Sequence, residues 1–165
     1  MDNAADSKQQ CCPPFDPVNW DLKEVVWQDK LFVKDSMPEL FHIPLPGVIN
    51  RTIGRVWRKI EEAEAKPEDK DILMLFYDPS PWKSELYINA TKEVPDADNV
   101  RLSGTFLTKV FDGPYNAAPK WIKEMDVYVK NKGRQTQKYY FYYTTCPKCA
   151  KKYGHNYVVV FAKVI

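Results

Sequence analysis

Glycine is scarce in this chain, with 6 in 165 residues. A P-loop or a dinucleotide fingerprint needs several glycines within a few positions, and no such cluster occurs. Histidine is scarcer still, limited to His42 and His155. That excludes an HExxH zinc helix, and no Ser-His-Asp order can be assembled either. No run of about 18 apolar residues is present, so no segment is written to cross a membrane as a helix. The opening Met1-Asp2-Asn3-Ala4-Ala5-Asp6 lacks an apolar stretch. No signal peptide is therefore expected, and a reducing cytoplasm is the expected compartment. Acidic residues are absent after Asp126, whereas Lys130, Lys132, Arg134, Lys138, Lys148, Lys151, Lys152 and Lys163 follow it.

Aromatic rings are abundant: 10 Tyr, 8 Phe and 5 Trp, within a hydrophobic fraction of 44%. This composition excludes a disordered tail, a collagen-like chain and a coiled coil, and its length suits one domain with one real core. Formal net charge is only +2. The basic C-terminal part, with its tyrosines, reads either as a solvated hairpin edge or as a stacking platform for nucleic acid. Near-neutral total charge and the lack of a recognition-helix or RNP-type motif disfavour nucleic acid as a partner.

Four cysteines form two close pairs, Cys11-Cys12 and Cys146-Pro147-Lys148-Cys149. The second pair looks like half of a zinc knuckle, since two thiolates on one turn chelate a tetrahedral ion. A closed structural site needs four ligands, which makes Cys146, Cys149, Cys11 and Cys12 the candidate set, with His42 and His155 as substitutes. A redox CxxC or two unpaired thiols at a hairpin tip are the alternatives. No cofactor is required by any motif, and zinc is the one structural metal under consideration.

Hydrophobic periodicity organises the rest. Residues 1–14 read as a disordered lead, and 1–35 as an arm whose Phe15, Trp20 and Val25-Val26-Trp27 pack on a domain spanning 36–165. The first unit starts with a short apolar run, Leu40-Phe41-His42-Ile43. Val48, Ile49, Ile53, Val56, Trp57 and Ile60 follow at helical spacing, ended by Pro67. Two strands come next, Ile72–Tyr77 and Glu85–Thr91, around Asp78-Pro79-Ser80-Pro81. The second unit repeats the order. A strand through Phe106–Phe111 stops at Asp112-Gly113-Pro114, and a helix bears Trp121, Ile122, Met125 and Val129. Tyr139–Tyr143 and Tyr157–Phe161 are then joined by the CPKC segment. The expectation is an α+β fold of duplicated βαββ units, forming an antiparallel sheet with two helices packed on one face. A cleft where the helices diverge would take a small hydrophobic or aromatic molecule. Monomer and homodimer are both compatible with the pattern.

With these segments in place, the chain resembles the GyrI-like (DNA gyrase inhibitor-like) small-molecule-binding family over residues 36–165. Ser103-Gly104-Thr105-Phe106 through Asp112-Gly113-Pro114-Tyr115 to Trp121-Ile122 carries most of the resemblance. Phe76-Tyr77-Asp78-Pro79, Glu85-Leu86-Tyr87 and Glu93-Val94-Pro95 add to it. The resemblance implies an effector-binding fold with an aromatic cleft for hydrophobic, often cationic, compounds. Some stand-alone members look like hydrolases that open electrophilic cyclopropane-bearing toxins. The family's acidic strand residue falls in Tyr140-Phe141-Tyr142-Tyr143, where this chain has only rings.

Trp57, Phe76, Trp82, Tyr87, Trp121, Phe141 and Tyr143 are accordingly the candidate ligand-binding rings. Glu85 is the candidate general base, because a desolvated strand carboxylate facing a cleft would have a raised pKa. Tyr115, after the Gly-Pro turn, is the candidate acid or donor. Three functions follow: small-molecule binding, hydrolysis of an electrophilic toxin, or a zinc-knuckle module that binds nucleic acid.

Overall fold

A computed structural model describes residues 15–145 and 147–165, without the side chains of Pro147 and Lys148. Cys11, Cys12 and Cys146, and with them most of the candidate zinc set, lie outside the described residues. The strands are β1 (Lys23–Leu40), β2 (Ile43–Pro44), β3 (Met74–Ser80), β4 (Lys83–Asn89), β5 (Asp98–Asp112), β6 (Thr136–Tyr143) and β7 (Tyr157–Val164). The helices are α1 (Val48–Glu62), α2 (Ala118–Asn131) and α3 (Pro147–Tyr153). No described helix is long and apolar enough to cross a membrane.

Six strands pair antiparallel in the order β1-β4-β3-β6-β7-β5, and β5 pairs back onto β1. The sheet is thus a barrel-like, mixed α+β assembly in which closure removes the open edges that would otherwise invite aggregation. The two-residue β2 adds only to the end of β1. With the two-residue β2 and the seven-residue α3 set aside, the longer elements run strand, helix, strand, strand from β1 to β4 and again from β5 to β7.

Alternation sends neighbouring side chains to opposite sides of this barrel. Trp27, Phe32, Leu75, Tyr87, Phe106, Tyr140, Val159 and Phe161 meet in its interior. On the outside, Val33, Met37, Leu86 and Ile88 form a floor for α1, whose Thr52, Val56 and Ile60 are buried at four-residue spacing. Trp121, Met125 and Val129 of α2 repeat that spacing over Leu107, Phe111, Val158, Val160 and Ala162. Each strand therefore has two apolar faces. This explains why β7 reads as a dense apolar run rather than as clean alternation.

Three expectations need correction. Residues 23–35, expected in an arm lying on the domain, belong to an 18-residue strand paired on one side with β4 and on the other with β5. Polar Gln28-Asp29-Lys30 hid it, because β1 bulges between Trp27 and Lys30, where Asp29 has φ 50° and its N–H donates to Ser103 Oγ at 2.8 Å. A bulge of this kind interrupts the alternation that marks a strand. Of the described N-terminal residues, 15–22 lie on the barrel, with Phe15 and Trp20 against the interior core and the Asp21 carboxylate accepting the Val110 N–H at 3.1 Å. Secondly, Leu40–Ile43 is the β1–β2 turn rather than the strand that opens the first unit. Pro147, Lys148 and Cys149 likewise open the seven-residue α3 instead of lying in a bare hairpin tip.

Candidate functional site

Helix α1 covers β1 and β4, while α2 covers β7, β5 and the near side of β6. The outer surface of β3 and the adjoining part of β6 are left between them. Phe76 and Phe141 are cross-strand partners there. Two residues on from Phe141, and so on the same face, Tyr143 packs edge-to-face on Phe76 at 5.5 Å and stacks with Phe141 at 6.2 Å. Tyr115, from the turn that precedes α2, adds a third ring against Tyr143 at 5.5 Å, and its hydroxyl donates to the Thr145 carbonyl at 3.1 Å. Four rings make a continuous aromatic wall.

An acidic pole closes one end of the wall. Glu39, at the end of β1 and on the same outer face as Met37, is only 6% exposed. Its N–H donates to the Trp82 carbonyl at 2.9 Å, which fixes the backbone against the β3–β4 hairpin. Its Oε1 is shielded from solvent and has no hydrogen-bond partner among the described residues. Asp78 of β3 stands beside it, and His42 Nδ1 lies 3.6 Å from Asp78 Oδ2. One donor atom from each of Glu39, His42 and Asp78 falls within 4.8 Å of the others. These three could hold a metal ion.

Electrostatics link the wall to the pole. Burial, then the neighbouring Asp78 charge and a hydrogen bond to it, push the Glu39 carboxyl up from 4.5 to about 7. Burial raises the Tyr143 phenol too, followed by Asp78, Tyr115 and Glu39. The turn that delivers His42 is itself strained. Phe41 and His42 have φ 51° and 63°, the left-handed backbone that two-residue hairpin turns usually assign to Asn and Gly. For residues with a Cβ this costs roughly 1–2 kcal/mol each, and such strain concentrates at functional sites. Trp82 and Phe41, both largely exposed, touch at 5.0 Å at the rim.

The remaining sequence-predicted residues are elsewhere. Glu85 and Tyr87 share a face as expected, but that face is the barrel interior. Tyr87 donates its hydroxyl to Glu85 Oε2 at 2.5 Å, and Lys34 Nζ lies 3.2 Å from the same oxygen. Burial pushes the Glu85 carboxyl up, yet the Tyr87 hydrogen bond and Lys34 outweigh it and leave the group below its ordinary value. This is the opposite of the raised value expected for a general base. Trp121 is buried under α2, stacked on Phe111 at 5.5 Å. Trp57 is half-buried beside the α1 core, with Lys66 Nζ 5.7 Å from its ring centre. Cys149 is buried on α3. His155 pairs with Asp112 at 2.8 Å and stacks on Tyr157, away from the pole.

Sequence reasoning missed Glu39 and Asp78. The available signal was an acidic residue at the outward parity of a strand, two positions after the core residue Met37. Two surface hollows, of about 340 and 480 Å³, open near the N-terminal residues instead, lined by Phe15, Trp20 and Tyr142 and by Trp20, Trp27 and Asn89. Their acidic residues are all exposed, so neither offers a buried reactive group.

Against known families, the model described as bacterial hydrolase matches residues 1–164. The chain belongs to this family. The bacterial hydrolase fold recurs in solved structures of low identity. The C-terminal domain of EcmrR is 9% identical with a TM-score of 0.66, over 88% of this chain and 98% of that one. A hydrolase from Listeria innocua is 12% identical with a TM-score of 0.64, over 98% of both chains. SAV2435, solved bound to tetraphenylphosphonium, is 13% identical with a TM-score of 0.50, over 88% of this chain and 94% of that one. At such identities the likeness concerns the fold alone. No curated protein matches the chain.

Proposed function

We propose that this bacterial hydrolase family member is a GyrI-like small-molecule-binding protein whose two βαββ halves are copies of one unit. The ligand lies on the aromatic wall of Phe76, Phe141, Tyr143 and Tyr115, with its polar or cationic end at Glu39. One observation carries this reading: a buried carboxyl with an unused oxygen stands at the end of four exposed or half-buried rings. Rings supply apolar area and stacking, and a desolvated acceptor selects the ligand's orientation. Tetraphenylphosphonium, the ligand of the similar SAV2435, has that character, being aromatic and positively charged.

Titration with tetraphenylphosphonium, followed by tryptophan fluorescence, tests the site. Tyr143→Ala should weaken binding about tenfold through loss of one ring contact. Glu39→Gln should weaken the cation while sparing a neutral aromatic of similar size. Equal affinity in wild type and both variants would remove the wall from the reading.

Hydrolysis is the second reading, favoured by the placement of Glu39 within electrostatic reach of the Tyr143 phenol. A carboxylate there is positioned to take a proton from water as that water attacks an electrophilic carbon, with a phenol donating to the departing atom. Glu39→Gln should then abolish turnover of an electrophilic cyclopropane while binding of the intact compound persists.

A further inference from the structure

The contact between Glu39 and Asp78 leaves a question that ligand binding does not answer. One donor atom from each of Glu39, His42 and Asp78 lies within 4.8 Å of the other two, close enough for a single ion to meet all three. Glu39 is 94% shielded by the complement of its 6% exposure, and it keeps one oxygen without a partner among the described residues. The two oxygens of a carboxyl are neighbours, so the orphaned acceptor belongs to the same cluster. His42 supplies a third donor, held there by a turn with two left-handed non-glycine residues.

We propose that Glu39, His42 and Asp78 bind one divalent transition-metal ion of the Zn²⁺ type. The set of one imidazole nitrogen and two carboxylates suits zinc and its first-row neighbours, while Mg²⁺ and Ca²⁺ favour all-oxygen shells. Donors bound tetrahedrally at about 2.1 Å from one ion lie about 3.4 Å apart. His42 Nδ1 and Asp78 Oδ2 are already 3.6 Å apart. Three protein donors come from β1, the β1–β2 turn and β3, which leaves a position open for water or for a neutral or anionic ligand atom, whereas a cationic ligand end at Glu39 and the metal ion exclude one another. The donor set contains no thiol.

The cysteines are the main confounder, so the test removes them. Full-length protein carrying Cys11→Ser, Cys12→Ser, Cys146→Ser and Cys149→Ser is treated with chelator and titrated with Zn²⁺ by calorimetry. One ion per chain with a micromolar or tighter Kd is expected. His42→Ala and Asp78→Asn, both at exposed side chains and so safe for folding, should each weaken uptake at least about tenfold. The near-isosteric Glu39→Gln should do the same. Co²⁺ in place of Zn²⁺ should give visible ligand-field bands without a thiolate charge-transfer band. Uptake that is missing from the cysteine-free chain, or unchanged by His42→Ala and Asp78→Asn, overturns the proposal. Uptake seen only with the cysteines restored also overturns it and gives the ion to the CPKC segment. Tetraphenylphosphonium binding to the same chelator-treated protein reports on the aromatic wall independently of either result.

Discussion

Replacing Tyr87 with Phe removes one hydroxyl from the barrel interior and nothing else. That hydroxyl donates at 2.5 Å to Glu85, and the two residues are 5% and 8% exposed. A buried hydrogen bond to a charged group contributes roughly 1.5–3 kcal/mol, and its loss leaves Glu85 held by its ion pair with Lys34. A loss of about 2 kcal/mol is expected, which for a domain of this size lowers Tm by about 4–8 °C. The loss should depend on pH with a definite sign. Glu85 titrates below its ordinary 4.5 in the folded protein, so between the two values the unfolded chain binds more protons. Stability from this group is fully present above the unfolded value and disappears as pH falls through the folded one. Tyr87→Phe removes the largest of the effects that lower the carboxyl, so the gap between wild type and variant is widest at neutral pH and closes under acid. Thermal melts by circular dichroism at a series of pH values measure both quantities. A double-mutant cycle with Lys34→Met should show coupling, because both partners act on one oxygen. A destabilisation under about 0.5 kcal/mol, or one independent of pH, would refute the interior placement of the pair. So would a Glu85→Gln variant that keeps its Tm and loses ligand binding.

Ile60→Ala should cost about 2–4 kcal/mol, since the side chain is fully buried between α1 and the sheet and its cavity cannot be filled by solvent; urea titration reads the change directly. The paired substitution Phe41→Asn and His42→Gly installs the residues that a left-handed turn favours and should raise stability by about 1–2 kcal/mol. The same variant should lose Zn²⁺ uptake with its imidazole, so a rise in Tm accompanied by unchanged metal binding would contradict the assigned role of His42.

Much of the secondary structure was readable before any tertiary contact. The four-residue spacing of Val56 and Ile60, and of Trp121, Met125 and Val129, marked both long helices, and β3 to β7 stood out as apolar runs between turn residues. Strand β1 did not stand out, because its bulge at Trp27–Lys30 exposes polar residues in the middle of a strand. The shared face of Glu85 and Tyr87 followed from parity alone, yet parity does not say which face turns inward when a sheet closes. Since helices cover the outer face, both faces of these strands are apolar, and composition could not separate interior rings such as Tyr140 from wall rings such as Phe141.

The candidate site divides along the same line. Phe76, Tyr115, Phe141 and Tyr143 were singled out by residue type, and the fold brings them together. Glu39, His42 and Asp78 come from a strand end, a turn and a second strand, each unremarkable in its own segment. By itself the sequence determined the local elements and the surplus of rings, because periodicity and residue type act over a few positions. Only the tertiary structure decided which carboxylate is exposed to Lys34 inside the barrel and which is left with an unused oxygen beside Asp78. Desolvation and contact between distant segments depend on closure of the sheet, and no local pattern encodes them.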